Sequence, residues 1–385
     1  MIIEMEKGHP TTVEAIRKVA ARHGNTLEVI EGSEVYDTLH VIGDVRSLAA
    51  QADYLANLAG VERVWRISSS YKNIARVVGD GKRQAVHRQR RVVEVSGPDG
   101  LVRRIGGGKH VFLAGPDSVQ TEEQTLTQAR MLADMADRLK IRDRLIFRAG
   151  AFKPRTRPTD FRGLGLEGIA ILDRVRQETG IPYITEVMDH TLVEQLAGHV
   201  DMFQIGTRNA QDFALLEKVG NSGKPVMLKR GFGNDAEEWF NAAEYIANQG
   251  NLDIVLCERG VKTMFAKNGY NRFTPDFNVL RHAKEKTILP VAFDPSHAAG
   301  DDRLVAENLL ASLAFLPDAS ITEVLHAESF RVEQMCDARQ ALLIELYEKA
   351  VEAVLAFEAG VAPLLQQVED HFELRRGATQ EAGAR

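Results

Sequence analysis

Between Arg148 and Gly165 the chain reads RAGAFKPRTRPTDFRGLG, with five cations, Arg148, Lys153, Arg155, Arg157 and Arg162, set among glycines and prolines. Like charge crowded in this way either faces water or awaits an anion. Further cations stand at comparable places: Arg208 in GTRN, Lys229 in LKRG and Arg259 in CERG. Arginine forks match phosphate and carboxylate oxygens bidentately, while lysine acts as a point charge. Arg148, Lys153, Arg155, Arg208, Lys229 and Arg259 together exceed what one phosphate needs. They suit two phosphorylated ligands, or a ligand carrying both phosphate and carboxylate beside a second phosphate. Arg157 and Arg162 read as solvated loop charges. A second set, Asp117, His297, Glu323 and Asp337, combines three carboxylates with one imidazole. Such donors favour a divalent ion such as Mn²⁺, Mg²⁺ or Fe²⁺ over a thiolate-loving one. Their spacing is no compact ligand motif, and Asp117 and Asp337 can equally serve as helix N-caps.

These residues need elements to position them. From His110 onward, apolar runs alternate with amphipathic stretches: HVFLAG, RLIFRAGAF, PYITEV, VDMFQIG, PVMLKRG, DIVLCERG, LPVAFDPSH and ASITEVLHA. Near-continuous apolar runs suit strands buried on both faces. Eight strands, each followed by a helix, over about 250 residues predict a (β/α)₈ TIM barrel; an open doubly wound sheet is the lesser alternative. No GxGxxG opens a helix after a first strand, which weakens a dinucleotide reading. Each run ends in something costly to bury: Asp117; Arg148 and Lys153; Glu186; Gln204 and Arg208; Lys229 and Arg230; Glu258 and Arg259; Asp294 and His297; Glu323 and His326. In a barrel these ends converge on one face, where active sites of this fold lie.

Residues 1 to about 75 read as β-α-β-β-α-β, the order of a ferredoxin-like split βαβ unit. Residues 76–108 read as a linker with a β-hairpin at RRVVEVSGPDGLVRRIGGG, whose Pro-Asp-Gly separates alternating apolar runs. The barrel is expected over 109–365 and a polar tail over 366–385. Formal net charge is -6 over 385 residues, so no global basic footprint marks nucleic-acid binding. Two cysteines cannot make a disulfide framework, no apolar run approaches a bilayer-spanning length, and MIIEMEKG is unlike a signal peptide. A cytoplasmic protein with no membrane partner is expected.

The runs AGPDSV, RAGAFKPRT with FRGLG, ITEV, QIGTRNAQDF, KPVMLKRGF, EYIANQGN, LCERG and DPSHAAG resemble those of 3-deoxy-D-arabino-heptulosonate 7-phosphate (DAHP) synthases, class I type with an N-terminal ferredoxin-like domain. The resemblance covers about residues 1–360 in family order. It implies condensation of phosphoenolpyruvate with erythrose 4-phosphate, releasing phosphate, at the entry to the shikimate pathway. By the resemblance, Arg148, Lys153, Arg208, Lys229 and Arg259 hold phosphoenolpyruvate, Arg155 and Thr156 hold the aldose phosphate, and Glu186 lies close by. Lys153, His297 and Glu186 are the candidates for catalysis. It further implies a divalent metal (Mn²⁺, Mg²⁺, or Fe²⁺/Co²⁺) on Asp117, His297, Glu323 and Asp337. An aromatic amino acid effector at the N-terminal domain and a homotetramer or homodimer are also implied.

One departure stands out. The family ends its first barrel strand in GPCS with the cysteine on the metal, whereas this chain has Asp117. A harder ion, metal-free work or a different aldehyde are the outcomes this leaves open. The rivals are a paralogue acting on arabinose 5-phosphate or a specialised-metabolism aldose, and a silent regulatory barrel. The arabinose 5-phosphate group carries a KANRSS-type stretch where this chain has Lys153-Pro154-Arg155-Thr156.

Overall fold

The computed structural model describes residues 1–31, 36–45, 47–65, 70–78, 86–154, 159–264, 272–327 and 338–368. Arg155, Thr156, Arg157 and Asp337, and the tail from residue 369, lie outside the described residues.

The N-terminal unit runs β1 (Ile2–Glu6), a helix (Pro10–Arg22), β2 (Thr26–Glu31), β3 (Tyr36–Ile42), a short helix (Ala52–Ala56) and β4 (Val61–Trp65). Its sheet has the order β2-β3-β1-β4, antiparallel throughout. Alternation puts Ile3, Met5, Leu39 and Val41 on one face, in a core with Ile16 and Ala20 of the first helix. From the same sheet, Ile42 joins the barrel's own core and His40 meets Arg88, Nη2 to Nδ1 2.8 Å. Glu244, buried on the barrel helix Ala236–Ala247, accepts from Asn73 N at 2.8 Å and Ile74 N at 3.3 Å. Arg91 ties Glu28 of β2 to Asp253 at the foot of the barrel. The two units therefore share a buried polar seam.

After the short pair β5 (Val77–Val78) and β6 (Val86–His87) comes the hairpin β7 (Val93–Ser96) and β8 (Val102–Ile105). This segment does more than connect. Val93, Val95 and Ile105 pack with the inward residues Val111, Leu113, Ile146 and Ala319, so the hairpin forms the barrel's floor.

Eight parallel strands follow: β9 (Val111–Gly115), β10 (Leu145–Arg148), β11 (Tyr183–Glu186), β12 (Met202–Ile205), β13 (Val226–Lys229), β14 (Ile254–Glu258), β15 (Val291–Phe293) and β16 (Ala319–Leu325). They pair in chain order, and β16 pairs with both β15 and β9. The sheet is therefore closed, which removes the open doubly wound alternative. Helices such as Glu122–Arg138, Leu166–Thr179 and Ile344–Gly360 cover the outside. Among the described residues no single helix is long and apolar enough to cross a membrane.

Side chains alternate in and out along each strand. The inward series of Val111 and Leu113, Ile146, Ile184, Met202, Met227, Val255 and Cys257, Ala292, and Ala319 and Ile321 fills the interior. Continued by two residues, those series reach Asp117 (by way of Gly115), Arg148, Glu186, Gln204, Lys229, Arg259, Asp294 and Glu323. An apolar barrel is thus capped at its C-terminal mouth by one polar side chain per strand. Burying such a layer is costly unless its members are paired or serve a ligand.

Candidate active site

The mouth opens into a cavity of about 640 Å³, part of it open to solvent, whose lining includes Asp117, Arg148, Lys153, Glu186, Lys229 and His297. Gln204, Arg208 and Arg259 complete the strand-end contribution. Every predicted site residue within the described set is here, with Glu323 directly behind the lining. Arg162 is exposed, as its reading as a solvated charge expects. The second cation of LKRG turns the other way: Arg230 pairs with Glu258 at 3.1 Å and Asp276 at 2.9 Å, outside the barrel wall. His326 lies apart, in a small recess with Ser118 and Gln128.

The cavity has an acidic and a cationic side. On the acidic side, one ligand atom each from Asp117, His297 and Glu323 lie within 4.8 Å of one another. Lys153 Nζ takes Asp117 Oδ1 at 2.7 Å, while Oδ2 is buried with no hydrogen-bond partner among the described residues. Glu323 Oε1 lies 3.3 Å from Arg148 Nη2 and 3.4 Å from His297 Nε2. His297 Nδ1 lies 2.8 Å from Asp294 Oδ2. A carboxylate beside Nδ1 favours the ring proton there and leaves the Nε2 lone pair on the side of Glu323, the arrangement of a metal-bound histidine. A buried orphan oxygen, a carboxylate oxygen and an imidazole nitrogen fit a hard or borderline divalent ion.

Asp294 makes this geometry possible. It is fully buried, accepts from Lys229 Nζ at 2.5 Å, and caps the helix Pro295–Ala299 through His297 N at 2.9 Å. Proline at the first helical position pre-sets the backbone that presents His297. Burial would raise the Asp294 carboxyl, but His297 and Lys229 hold it well below the usual range. Asp117 behaves likewise: burial would lift it, yet Lys153 and Arg148 keep it ionised far below the usual range. Burial pushes His297 down to about 3 against the pull of Asp294, so the imidazole is neutral near pH 7.

Glu186 differs. Burial raises its carboxyl, and Lys153 and Lys229 only partly oppose that. A carboxyl so perturbed inside a cleft is suited to proton transfer. The neighbouring glycine leaves room for this carboxyl: a Cβ on Gly206 would lie 1.8 Å from Glu186 Oε1 and would displace it.

On the cationic side aromatic rings, rather than carboxylates, hold the guanidiniums. Arg259 lies 3.9 Å from the Phe273 ring centre and 5.4 Å from that of Phe232, and Arg208 lies 5.7 Å from Phe232. The two rings are themselves stacked at 5.5 Å. Arg259 is buried, and its Nε and Nη1 have no partner among the described residues. Burial lowers it only to about 10, so it stays charged. Ring faces attract and fix the cations while leaving their N–H groups for an anion. Phe232, Phe273 and the lining residue Arg272 were not singled out by reading strand ends. Phe232 follows LKRG by one residue and Arg272-Phe273 sit in a loop, so neither carries a strand-end signal.

A (β/α)₈ barrel whose mouth sets clustered cations beside a candidate divalent-metal cluster belongs to the class of enzymes that act on phosphorylated, carboxylated substrates. The chain belongs to the DAHP synthetase I family, whose sequence model matches residues 92–354. It is similar to the phospho-2-dehydro-3-deoxyheptonate aldolase of Thermotoga maritima, 35% identical over 91% of this chain and 96% of that protein. It is also similar to the 2-dehydro-3-deoxyphosphooctonate aldolase of Syntrophotalea carbinolica, 33% identical over 66% of this chain and 93% of that protein. The crystal structure of the Thermotoga maritima phospho-2-dehydro-3-deoxyheptonate aldolase (DAHP synthase) superposes with a TM-score of 0.67 at 30% identity, covering 94% of this chain and 98% of that one.

Proposed function

We propose that this enzyme condenses phosphoenolpyruvate with erythrose 4-phosphate to give DAHP and inorganic phosphate. One observation carries the reading: the mouth of a single barrel gathers Arg148, Lys153, Arg208, Lys229 and Arg259 around one cavity, beside the Asp117–His297–Glu323 cluster. Family membership supports it, and so does the Lys153-Pro154-Arg155-Thr156 segment.

Arg148, Arg208, Lys229 and Arg259 bind the phosphate and carboxylate of phosphoenolpyruvate, and Arg155 and Thr156 bind the aldose phosphate. Neutralising both polyanions lets their reacting carbons approach in one fixed geometry. C3 of the enol attacks the aldehyde carbon, whose oxygen takes up a proton. Water adds at C2, and phosphate leaves with its bridging oxygen. Lys153, His297 and Glu186 are placed to move these protons: Lys153 as the charged donor beside Asp117, Glu186 as a carboxyl whose burial favours its protonated form. Asp117, His297 and Glu323, with Asp337, would hold the divalent ion, which when bound supplies Lewis-acid polarisation of an oxygen.

The test is phosphate release from phosphoenolpyruvate with erythrose 4-phosphate or arabinose 5-phosphate, with and without chelator. Release with the four-carbon aldose alone is expected. Preference for the five-carbon aldose would move the enzyme to the octulosonate branch, and release with neither would leave a silent barrel. The N-terminal unit is read as the seat of an aromatic amino acid effector in a homotetramer or homodimer. Tyrosine or phenylalanine should then inhibit the full chain, and insensitivity to both would remove that part of the reading.

A further inference from the structure

Arg272 lines the anion cavity but comes from none of the barrel strands. Its backbone is fixed to the helix that carries His297: Arg272 N donates to Ala299 O at 3.2 Å, and Phe273 N donates to Ala298 O at 3.0 Å. Gly300, with φ +69, closes that helix and makes room for the approach, since a Cβ there would lie 2.3 Å from Arg272 Cβ. Arg272 Nη1 donates to Gln340 Oε1 at 2.5 Å. Gln340 is buried, and its Nε2 donates to Glu323 Oε2 at 2.8 Å. The other oxygen, Glu323 Oε1, is the one that faces Arg148 and His297.

The chemistry of these groups fixes the direction of the chain. An amide has an acceptor end and a donor end. A guanidinium only donates, so it must hold the Gln340 oxygen, which leaves the amide nitrogen for Glu323. A carboxylate with one oxygen held in this way turns the other, Oε1, to the Arg148–His297 side. We propose that Arg272 and Gln340 are positioning residues forming a relay: Gln340 orients Glu323 for the divalent ion, and Arg272 couples that orientation to anion binding in the cavity. The inference rests on the phosphoenolpyruvate reading above. Because coupling between two binding events is reciprocal, an anion that steadies Arg272 tightens the ion, and the ion tightens the anion.

A purely architectural chain would tie the turn Ala338–Gln340 to the barrel and change stability alone. Binding of Mn²⁺ to the full chain, followed by the electron paramagnetic resonance of free Mn²⁺, separates the two with no turnover required. In the unmodified protein phosphoenolpyruvate should tighten Mn²⁺ by at least about 5-fold. Gln340→Met keeps the volume but removes both hydrogen-bonding ends. It should weaken Mn²⁺ by about 10–100-fold, beside the lower melting temperature in chelator that unpairing a buried carboxylate oxygen brings. Arg272→Met should abolish the effect of phosphoenolpyruvate on Mn²⁺, and Arg272→Lys, which keeps a donor, should restore part of it. Unaltered Mn²⁺ binding in Gln340→Met, unaltered coupling in Arg272→Met, or no Mn²⁺ binding by the unmodified chain would each overturn the relay. If Gln340→Met fails to fold, Arg272→Met decides alone. Coupling as described without phosphate release from either aldose would keep the relay and remove the proposed reaction.

Discussion

Lys153 and Asp117 form a buried ion pair in which Nζ lies 2.7 Å from Oδ1 and 3.1 Å from the main-chain oxygen of the same residue. The pair joins the two sides of the cavity. It helps keep a lysine charged in a place that burial alone would make unfavourable, since burial lowers Lys153 while Asp117, together with Glu186, raises it above its ordinary value. It also occupies only one of the two Asp117 oxygens, and Oδ2 is buried with no hydrogen-bond partner among the described residues.

Asp117→Ala strips the lysine of its partner. Breaking a buried pair from one side costs roughly 3–5 kcal/mol, and Glu186 nearby can offset only part of that. The urea midpoint should fall accordingly, and Mn²⁺ affinity with it. Asp117→Cys instead replaces a hard donor by a soft one. Its Co²⁺ form should show a near-ultraviolet thiolate-to-metal band absent from the unmodified protein. No band, with activity independent of chelator in both forms, would take Asp117 out of any metal site.

Arg259 tests the cationic side. Its guanidinium is held by the faces of Phe273 and Phe232 and has unpartnered N–H groups. Hydrogen bonds to charged groups contribute about 1.5–3 kcal/mol each. Arg259→Ala should therefore raise the KM for phosphoenolpyruvate by roughly 10–100-fold, with a smaller change for the aldose. Phe273→Leu keeps the charge but removes the nearer ring, and should give a several-fold rise in the same constant. Equal effects on both substrates would mean that Arg259 serves the cavity's general field and not one anion.

The seam between the two units supplies a pH prediction. Burial raises the Glu244 carboxyl from 4.5 to about 7, although Asn73 and Ile74 donate to it. The folded protein then holds a proton that the unfolded chain has already released between those values. This contribution is fully present below pH 4.5 and is lost as pH rises through about 7. It amounts to about 3 kcal/mol at most. The buried histidines His40, His110 and His297, whose pKa values burial lowers, act in the opposite sense in this window, so the test is a difference: from pH 5 to pH 8 the urea midpoint of Glu244→Gln should rise relative to that of the unmodified protein. Asp117 acts in the opposite sense: its pairing contributes above the usual carboxylate range and is lost only under strong acid, so it adds no slope in this window.

The strand ends were legible because two independent regularities coincide in them. An apolar run long enough for a buried strand marks Val226–Lys229, and the cation that ends it marks the mouth. Period-two alternation then separates Lys229, which points in, from Arg230, which points out to Glu258 and Asp276. Phe232, Phe273, Arg272 and Gln340 were not legible in this way. They act through loops and turns whose course depends on tertiary contacts such as Phe273 N to Ala298 O, and no local periodicity encodes those. Likewise the hairpin Val93–Ile105 announces itself as a hairpin by its turn, but its use as the barrel floor follows only from where Val93 and Val95 land.

That floor gives a last prediction, from two adjacent arginines on β8. Arg103 is fully buried; it donates to both Asp99 oxygens at 2.7 and 2.6 Å and to the main-chain oxygens of Leu145 and Arg142 at 3.0 and 2.9 Å. Arg104 points outward and pairs with Glu94, both side chains more than half exposed at 58% and 55%. Chemically the two pairs are alike, yet their environments differ. Arg103→Met takes the guanidinium's donors from Leu145 O and from Asp99, which keeps Leu101 N at 3.0 Å and Arg142 at 3.6 Å, a loss of roughly 1–3 kcal/mol. Arg104→Met removes a solvated pair worth about 0–1 kcal/mol. The floor lies at the opposite end of the barrel from the cavity, so kcat/KM of the folded fraction at low temperature should be the same in both variants. A drop in kcat/KM for Arg103→Met under fully folded conditions would mean that packing at the foot of β10 sets the position of Arg148 at its mouth.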